Sequence, residues 1–384
     1  MIDLHTFPDL YILIFNLVAQ AILIWEYRKR YPGVQSGIGK ALFLLANIAV
    51  FAVYTSGYLL LFRRPQRLVP SQLTAWIQAT GLFIMMCLAA ALAGAVLARI
   101  TGRLTPPFRS RRREFLGVAT AGLVAAPLAL ATIGVIEREQ FRVSEIDVPI
   151  AGLPPDLDGF RIAQITDIHL SPFLSARDFA RAVDMANETK AHLMLVTGDL
   201  ITRTGDPLDA CLKQLARLRA DVILGCLGNH EIYTKTENYV TQQGARIGID
   251  FLRMRTRPLK FGNATINFAG VDYQPLHKPY LVGAEKLVVP GMINVLLSHN
   301  PDVFPVAARQ GYDLTIAGHT HGGQINVEIL HKNLNVASYF TPYTRGLYRK
   351  ENKAVYVSSG LGTVGMPVRL GAPPEISLLR LCAS

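Results

Sequence analysis

The sequence predicts a layered α/β domain preceded by about four transmembrane α-helices. Four long stretches without charge occupy the first third of the chain, and apolar runs alternate with helical patterns in the rest. Several of those apolar runs end in histidines and acidic residues. Alternation of strands and helices is typical of a layered α/β domain. We therefore assign residues 1–141 to a transmembrane domain and residues 142–384 to the α/β domain.

The composition agrees with this division into two domains and argues against one class of function, nucleic-acid binding. The chain has 384 residues, is 50% hydrophobic and carries a formal net charge of +11. Most of that charge lies before residue 142, and no basic patch interleaved with aromatic residues follows it, which argues against nucleic-acid binding. The four cysteines are not spaced in the sequence as metal ligands or redox-active pairs are, so we interpret them as small buried apolar residues.

The uncharged stretches predict spans at about 10–25, 41–62, 73–98 and 115–136. A spanning helix needs ~20 apolar residues, so the first stretch is short and the others suffice. Lys and Arg are concentrated after the first and third spans, which places those loops in the cytoplasm. We expect a protein integral to the bacterial cytoplasmic membrane, with its α/β domain on the extracytoplasmic face.

The pair Arg112-Arg113, followed by Glu-Phe-Leu and an apolar run, has two interpretations. It resembles a twin-arginine export signal, although it is internal to the chain. It also fits the positive cytoplasmic flank of the fourth span. Both interpretations place the α/β domain across the membrane, and we expect the fourth span to stay as an anchor.

Within the α/β domain, residues 137–155 are predicted to be a charged exit and a linker rich in Pro and Gly. Strands are predicted at 160–165, 192–196, 222–227, 293–297 and 314–317, with shorter pieces at 251–254, 265–271, 324–328, 354–357 and 376–381. Amphipathic helices are predicted at 176–189 and 207–219, and another begins at about 301.

Five of these strands end in side chains that can bind metal. They are Asp167 and His169, then Asp199, then Asn229 and His230, then His299, and last His319 and His321. Ligands of open α/β sheets gather at the carboxyl ends of strands, and five of the nine histidines fall there. For the last pair a polar turn is the alternative, and we interpret the glycines that follow it as clearance for a phosphate.

The ligand set mixes oxygen and nitrogen without thiolate, which suits Mn, Fe, Zn or Co. Seven ligands are too many for one ion and fit two divalent ions, with a carboxylate such as Asp199 as the bridge. Two ions ~3.5–4 Å apart polarise a phosphoryl group and generate a hydroxide that attacks in line. His230 is left over, and a histidine beside the ligands is a natural proton donor to a leaving group.

Together these motifs resemble the five motifs of the calcineurin-like metallophosphoesterase superfamily, over about residues 142–384. The resemblance implies a four-layer α-β-β-α sandwich. It implies that Asp167, His169, Asp199 and His321 bind one metal, and that Asp199, Asn229, His299 and His319 bind the other. It also implies that His230 acts as general acid or transition-state stabiliser. Many members carry Arg or Asn shortly after the Gly-Asp motif, and Arg203 is the candidate here.

Finer motifs resemble one bacterial branch of that superfamily. They are Gly318-His-Thr-His-Gly-Gly-Gln324, Tyr343-Thr-Arg-Gly-Leu-Tyr348 and Ser358-Ser-Gly-Leu-Gly362, followed by Pro367-Val-Arg369 and Pro373-Pro-Glu375. The branch includes membrane-associated phosphodiesterases and enzymes similar to UDP-2,3-diacylglucosamine pyrophosphatases of lipid A synthesis. A lipid A role conflicts with the predicted topology, because the nucleotide-sugar lipids of that pathway are cytoplasmic.

Three functions remain open. The first is a membrane-anchored phosphoesterase for a lipid-linked phosphodiester or pyrophosphate, with membrane lipids as partners and residues 330–348 as a loop contacting substrate. The second uses soluble nucleotide or phosphoprotein substrates, with the membrane part only as an anchor. The third is a non-catalytic membrane scaffold with a residual metal site. Candidate substrate residues are Arg203, Arg345 and His277.

Overall fold

The computed structural model describes residues 129–275, 279–329 and 332–384. The predicted spans 10–25, 41–62 and 73–98, and residues 115–128 of the fourth span, lie outside the described residues. Residues 129–137 are helical, and none of the described helices is long and apolar enough to cross a membrane. The chain divides into two units between Val135 and Ile136, and the second unit is described below.

The described residues of this unit form fourteen strands and five α-helices. The strands are β1 (Arg142–Ile150), β2 (Arg161–Ile165), β3 (Leu193–Val196), β4 (Val222–Gly225), β5 (Ile249–Phe251), β6 (Arg255–Phe261), β7 (Ala264–Gly270), β8 (Ile293–Leu297), β9 (Leu314–Ala317), β10 (Asn326–Ile329), β11 (Lys332–Asn335), β12 (Gly346–Lys350), β13 (Lys353–Val357) and β14 (Glu375–Ala383). The helices are α1 (Ala176–Glu188), α2 (Leu208–Leu215), α3 (Asn229–Thr234), α4 (Glu237–Arg246) and α5 (Phe304–Gln310).

Two six-stranded mixed sheets dominate the unit. The first has the order β1-β14-β2-β3-β4-β5 and the second the order β12-β13-β9-β8-β7-β6, while β10 and β11 form a separate hairpin. Strands β2 to β5 are parallel in the first sheet, and β7, β8, β9 and β13 are parallel in the second. We call the surface formed by the carboxyl ends of these parallel strands, with the loops that follow them, the carboxyl edge.

The two sheets pack face to face because alternate strand residues are apolar on both sides. In β3, Leu193 and Leu195 enter the core between the sheets, whereas Met194 and Val196 pack under α1 and α2. On the outer face of the second sheet, Phe304 of α5 joins a separate apolar cluster with residues of β9 and β13. The layers are therefore helix, sheet, sheet and helix, as the resemblance implies.

The predicted strands 293–297 and 314–317 are confirmed as β8 and β9, but the predicted linker at 137–155 is wrong. Nine of its residues form β1, an edge strand paired only with β14. Its first six residues are all exposed or half-buried and three of them are charged, and Asp147 pairs with Arg380 across the strands at 2.6 Å. Charged side chains are common on edge strands. In β1 they interrupt the pattern of apolar residues by which a strand is recognised in the sequence.

Candidate functional site

The seven predicted ligand residues come together at the carboxyl edge. Each lies on the loop or short helix that directly follows β2, β3, β4, β8 or β9. Six of them are buried and His319 is half-buried. Because the parallel strands end at one edge, residues up to 154 positions apart in the sequence face a common space.

One group of candidate ligand atoms comes from Asp167, His169 and His321, which lie within 4.8 Å of one another. His321 Nε2 is 3.4 Å from Asp167 Oδ1, and His169 Nε2 is 3.5 Å from Asp199 Oδ2. Asp199 therefore stands beside this group. The set contains two imidazole nitrogens and two carboxylates, which can hold one divalent cation.

A second group consists of Asp199, His299 and His319, again within 4.8 Å of one another. His299 Nε2 is 3.0 Å from Asp199 Oδ2, the same oxygen that faces His169. One carboxylate oxygen thus faces a histidine from each group. This is the position that a bridging ligand between two cations requires.

Three candidate ligand atoms are buried and without a hydrogen-bond partner. They are His169 Nε2, His299 Nε2 and Asn229 Oδ1. A buried polar atom left unsatisfied costs ~1–3 kcal/mol, and native proteins rarely leave several together. Bound cations would satisfy all three atoms, because imidazole nitrogens and amide oxygens are metal ligands. The residues present therefore fit two divalent metal ions with nitrogen and oxygen ligands.

Backbone carbonyls hold the imidazole rings from behind. His299 Nδ1 donates to the carbonyl of Thr197 at 2.7 Å, and His321 Nδ1 donates to that of Gly362 at 3.3 Å. A nitrogen that donates to a carbonyl must carry a proton, so in the neutral imidazole it is Nε2 that holds the lone pair and directs it towards the site. Such contacts fix ring orientation and tautomer at metal sites.

Burial and the neighbouring carboxylates set the protonation of these histidines. For His299 burial disfavours the charged form, yet the charges of Asp199 and Asp167 outweigh it and raise the pKa to about 10. Burial lowers the pKa of His319 and of His321 to about 4, so both are neutral at pH 7. At neutral pH a cation would displace a proton from His299. His319 and His321 are already neutral and would offer their nitrogen lone pairs directly.

His230 lies beside both groups and is half-buried. Its Nδ1 donates to the carbonyl of Thr202 at 2.6 Å, and its ring centre is 4.6 Å from that of His169. A ring nitrogen of His230 also lies within 4.8 Å of ligand atoms of His169 and Asp199. The geometry therefore permits either a proton-donor role or coordination, and the two are separated by experiment below.

Left-handed backbone conformations concentrate at the site. Five candidate ligands have positive φ between 46° and 75°: Asp167, His169, Asp199, His319 and His321. Each such conformation costs ~1–3 kcal/mol outside glycine and persists where its surroundings over-determine it. Glycines lie against these residues, and a Cβ at Gly228 or Gly318 would overlap a ligand carboxylate.

The predicted clearance for phosphate at Gly322 and Gly323 is corrected by the structure. Both have positive φ, and a Cβ at Gly322 would meet Ser359 Oγ at 2.8 Å. A Cβ at Gly323 would overlap the side chain of Asn335. The missing side chains thus make room for neighbouring protein atoms, and the glycines let two loops pack on the turn that carries His321.

Sequence reasoning assigned no role to Glu231, which is fully buried behind the site. Its carboxylate accepts three backbone N–H groups, from Asp199 at 2.9 Å, Leu200 at 2.8 Å and Gly228 at 2.8 Å. Burial, together with the charge of Asp199, raises the pKa of Glu231. The side chain ties the loop after β3 to the loop after β4, and its place in Gly-Asn-His-Glu was the available signal.

Arg369 is a second residue without an assigned role, although its motif stood out in the sequence. Its guanidinium is fully buried and donates to carbonyls of Ser359 at 2.8 Å, Gly362 at 2.6 Å and Ala372 at 2.8 Å. Gly362 is also the carbonyl that holds His321. Arg369 therefore organises residues 359–372 around that ring, which no local pattern could predict.

The predicted substrate residues fall in different surroundings. Arg203 follows Thr202, the residue that holds His230, and its Nε is 4.0 Å from Asp206 Oδ1. Arg345 is exposed at the rim, where a Cβ on Gly322 would touch its Cδ at 3.3 Å. Both guanidinium groups are thus near the metal-ligand loops. His277 lies outside the described residues.

Comparisons with known proteins give one family match and several relatives. Residues 160–323 match the model of the calcineurin-like phosphoesterase family. The chain is 28% identical over 281 residues to the uncharacterized metallophosphoesterase YkuE of Bacillus subtilis, covering 70% of this chain and 97% of that one. It is 30% identical over 332 residues to a Bos taurus protein named transmembrane protein with metallophosphoesterase domain, covering 78% of this chain and 71% of that one. The phosphopantetheinyl hydrolase of Mycobacterium tuberculosis aligns at 11% identity with a TM-score of 0.35, over 55% of this chain and 96% of that chain.

Proposed function

The chain belongs to the calcineurin-like metallophosphoesterase family, and from that membership we propose that it is a membrane-anchored, metal-dependent hydrolase of phosphodiester or pyrophosphate bonds. The observation that carries the proposal is the set of buried ligand atoms on His169, Asn229 and His299 that make no hydrogen bond, two of which face Asp199. These atoms converge where the strands end. A residual site in a scaffold has no reason to keep such costly atoms buried together.

In this proposal one cation would be held by Asp167, His169, Asp199 and His321, and the other by Asp199, Asn229, His299 and His319. When bound, two divalent cations would polarise the phosphoryl group and activate water for in-line attack. The chain supplies the rest: carbonyls orient the imidazoles, and Glu231 and Arg369 fix the loops that carry the ligands. Preorganised ligands of this kind avoid a reorganisation cost during the reaction.

In this proposal His230 transfers a proton to the leaving oxygen. The carbonyl of Thr202 accepts a hydrogen bond from Nδ1–H of His230, so the proton that is transferred would come from Nε2. A positioned histidine of this kind contributes typically ~10²–10⁴-fold to the rate. Arg345 at the rim would bind non-bridging phosphate oxygens through its guanidinium, and Arg203 is the second candidate for that role.

The membrane part of the proposal rests on the uncharged stretches before residue 137 and on the name of the Bos taurus relative. A protein anchored beside its substrate pool is suited to a lipid-linked phosphodiester or pyrophosphate. The predicted side of the membrane is extracytoplasmic. A reporter that is active on only one side, fused after Ser384, would report cytoplasmic location if this topology is wrong.

The test of the reaction uses the full-length chain in detergent, stripped with a chelator and assayed with bis(p-nitrophenyl) phosphate. Activity is expected to return on addition of Mn²⁺, Zn²⁺, Co²⁺ or Fe²⁺ and to be lost in His299→Ala. The matched control is His192→Ala, since His192 is exposed at the start of β3, away from the ligands. Absence of hydrolysis with every metal would refute the proposal.

A second assay addresses the substrate class. A lipid-linked pyrophosphate in mixed micelles is compared with soluble nucleotide phosphodiesters of matched charge. The proposal expects higher kcat/KM for the lipid-linked substrate. Turnover of soluble esters alone would establish the alternative in which the membrane part serves only as an anchor.

A further inference from the structure

Three of the four most exposed large apolar side chains among the described residues lie on segments of the carboxyl edge, namely Tyr233, Tyr339 and Phe340. Among the described residues, the most exposed large apolar side chains are Phe340 at 82%, Tyr339 at 78%, Val282 at 72% and Tyr233 at 65%. Tyr233 belongs to the short helix that begins at Asn229. Tyr339 and Phe340 are adjacent in the sequence and both largely exposed, and exposed apolar patches are typical of interaction surfaces.

Tyr339 and Phe340 are held next to the metal-ligand loops. They follow β11, whose last residue, Asn335, donates from Nδ2 to the carbonyl of Gly322 at 3.1 Å. On the other side, Thr341 is tied by its hydroxyl to Asp302, on the segment that follows β8. The two aromatic side chains therefore project from a loop fixed at both ends to the carboxyl edge.

The opposite edge of the sheets has a different character. Its described turns carry glycine and polar or charged residues: Gly152, Lys190, Asp221, Asn263, Gly291 and Glu351. None of the large apolar side chains exposed in the described part of the chain lies in these turns. The asymmetry is therefore a property of the edge that contains the site.

The chain also enters the domain at the carboxyl edge. Strand β1 is parallel to β14, and β14 is antiparallel to β2, so β1 begins where β2 ends. The backbone N–H of Arg142 donates to the carbonyl of Pro374 at 3.0 Å, just before β14 begins. The uncharged stretch that ends at residue 136 is six residues away, and six residues span at most ~20 Å.

The segment before β1 is attached to the same loops that organise the site. Glu137 accepts from the backbone N–H of Gly371 at 3.2 Å, within the loop that Arg369 organises. The guanidinium of Arg138 lies 5.8 Å from the ring centre of Phe173, on the loop after His169. The neighbouring Ile136 is 55% exposed. The contacts of Glu137 and Arg138 hold these two residues against loops of the carboxyl edge.

We propose that the carboxyl edge is a membrane-docking surface whose Tyr339 and Phe340 insert into the interface of the bilayer. Tyrosine is enriched in that layer, and phenylalanine is among the apolar side chains that interfacial segments bury in it. The occupant is lipid because the chain reaches this edge directly from an uncharged stretch long enough to span a bilayer. This inference rests on the proposed function and names its consequence: phosphate groups at the bilayer surface reach the metal site without leaving the membrane.

The test measures the depth of position 340 in vesicles. Full-length protein with Trp25→Phe and Trp76→Phe, which removes the two tryptophans of the chain, receives Phe340→Trp and is reconstituted into phosphatidylcholine with or without brominated acyl chains. The matched control is Asn263→Trp, at an exposed turn of the opposite edge. An interfacial helix or side chain lies ~5–10 Å into the headgroup and acyl boundary, so bromine is expected to remove about half of the emission at 340 and almost none at 263.

Three outcomes would overturn docking on lipid. Equal emission with and without bromine at 340, together with quenching by aqueous iodide, would show a solvent-facing edge. Protection at 340 from both quenchers would show that a second copy or another protein covers it. Equal quenching at positions 263 and 340 would show that neither edge of the domain is directed preferentially towards the bilayer. Tyr339→Trp serves as the second probe, and equal melting temperatures verify that each variant is folded.

Hydrolysis of bis(p-nitrophenyl) phosphate in the same samples separates this inference from the proposed function. Hydrolysis without quenching at 340 would remove the docking surface and leave the phosphoesterase. Quenching at 340 without hydrolysis would leave the docking surface and remove the phosphoesterase. The fluorescence measurement needs no turnover, so the two proposals fail independently.

Discussion

Replacing Glu231 with glutamine tests whether a buried carboxylate fixes the two central ligand loops. The side chain accepts N–H groups from Asp199, Leu200 and Gly228. A glutamine offers one acceptor oxygen, which can keep the two N–H groups of Asp199 and Gly228, and its amide nitrogen then faces the N–H of Leu200. One buried N–H is left unsatisfied, at ~1–3 kcal/mol, and two charge-assisted bonds become neutral ones, at ~1 kcal/mol each.

Burial and the charge of Asp199 raise the pKa of Glu231, which means that its charged form is disfavoured at this position. Replacing it with a neutral side chain therefore offsets part of this loss of stability. The expected net loss for Glu231→Gln is about 2–4 kcal/mol, which lowers the Tm of the α/β domain by about 5–15 °C. A displaced loop also moves Asp199, and a shift of ~1 Å can cost ~10²-fold in rate. The assays are thermal unfolding and kcat/KM with bis(p-nitrophenyl) phosphate.

The control for this change is Glu188→Gln at the exposed end of α1, expected to stay within about 0.5 kcal/mol of the wild type. If Glu231→Gln is as stable and as active as that control, the carboxyl group is neutral in the folded protein. The three N–H groups would then not depend on a charged acceptor, and the reasoning fails.

Three further predictions concern the ligand cluster. His230→Ala is expected to lower kcat ~10²–10⁴-fold with unchanged metal content by mass spectrometry, and loss of a metal ion would make His230 a ligand instead. Asp199→Asn is expected to lose both ions, since its Oδ2 faces His169 and His299, and retention of one ion would contradict a shared position. In metal-free protein, the raised pKa of His299 stabilises the folded state fully below pH 6.5, and this stabilisation is lost as the pH rises through about 10. The lowered pKa of His321 acts in the opposite range, because the folded state loses stability as the pH falls from 6.5 through about 4. The Tm of chelator-treated protein is therefore expected to be highest near pH 7, and a Tm that is independent of pH from 4 to 10 would contradict these assignments.

The elements that could be predicted best from the sequence are the buried strands, because a run of apolar residues is enough to identify them. Strands β8 and β9 are continuous apolar runs with both faces buried, so their bounds follow from apolar residues alone. The polar residues that end such a strand are easily noticed, and this is why His299 and His319 could be placed at one edge. The identification needed no knowledge of tertiary contacts, since parallel strands end together.

Tertiary contacts decide what the sequence missed. Strand β1 is charged and pairs only with β14, more than 220 residues away, so no local periodicity marks it. Arg369 is buried only because carbonyls from residues 359–372 and from His321 turn inwards to meet it. The role of Gly323 was misread for the same reason, because Asn335 lies twelve residues away.

The left-handed ligands show why the site belongs to the whole fold and not to any one motif. Each costs ~1–3 kcal/mol, and a short loop has no means of offsetting such strain by itself. Backbone bonds between successive strand ends supply the restraint: the N–H of Asp167 donates to Gly198, the N–H of His169 donates to Asp199, and the N–H of Gly318 donates to His299. Each turn is thereby held by the next, with the apolar strands behind it as the rigid support. A change that loosens one strand end must therefore displace the ligand on its neighbour, so the metal affinity of this edge depends on residues that touch no metal.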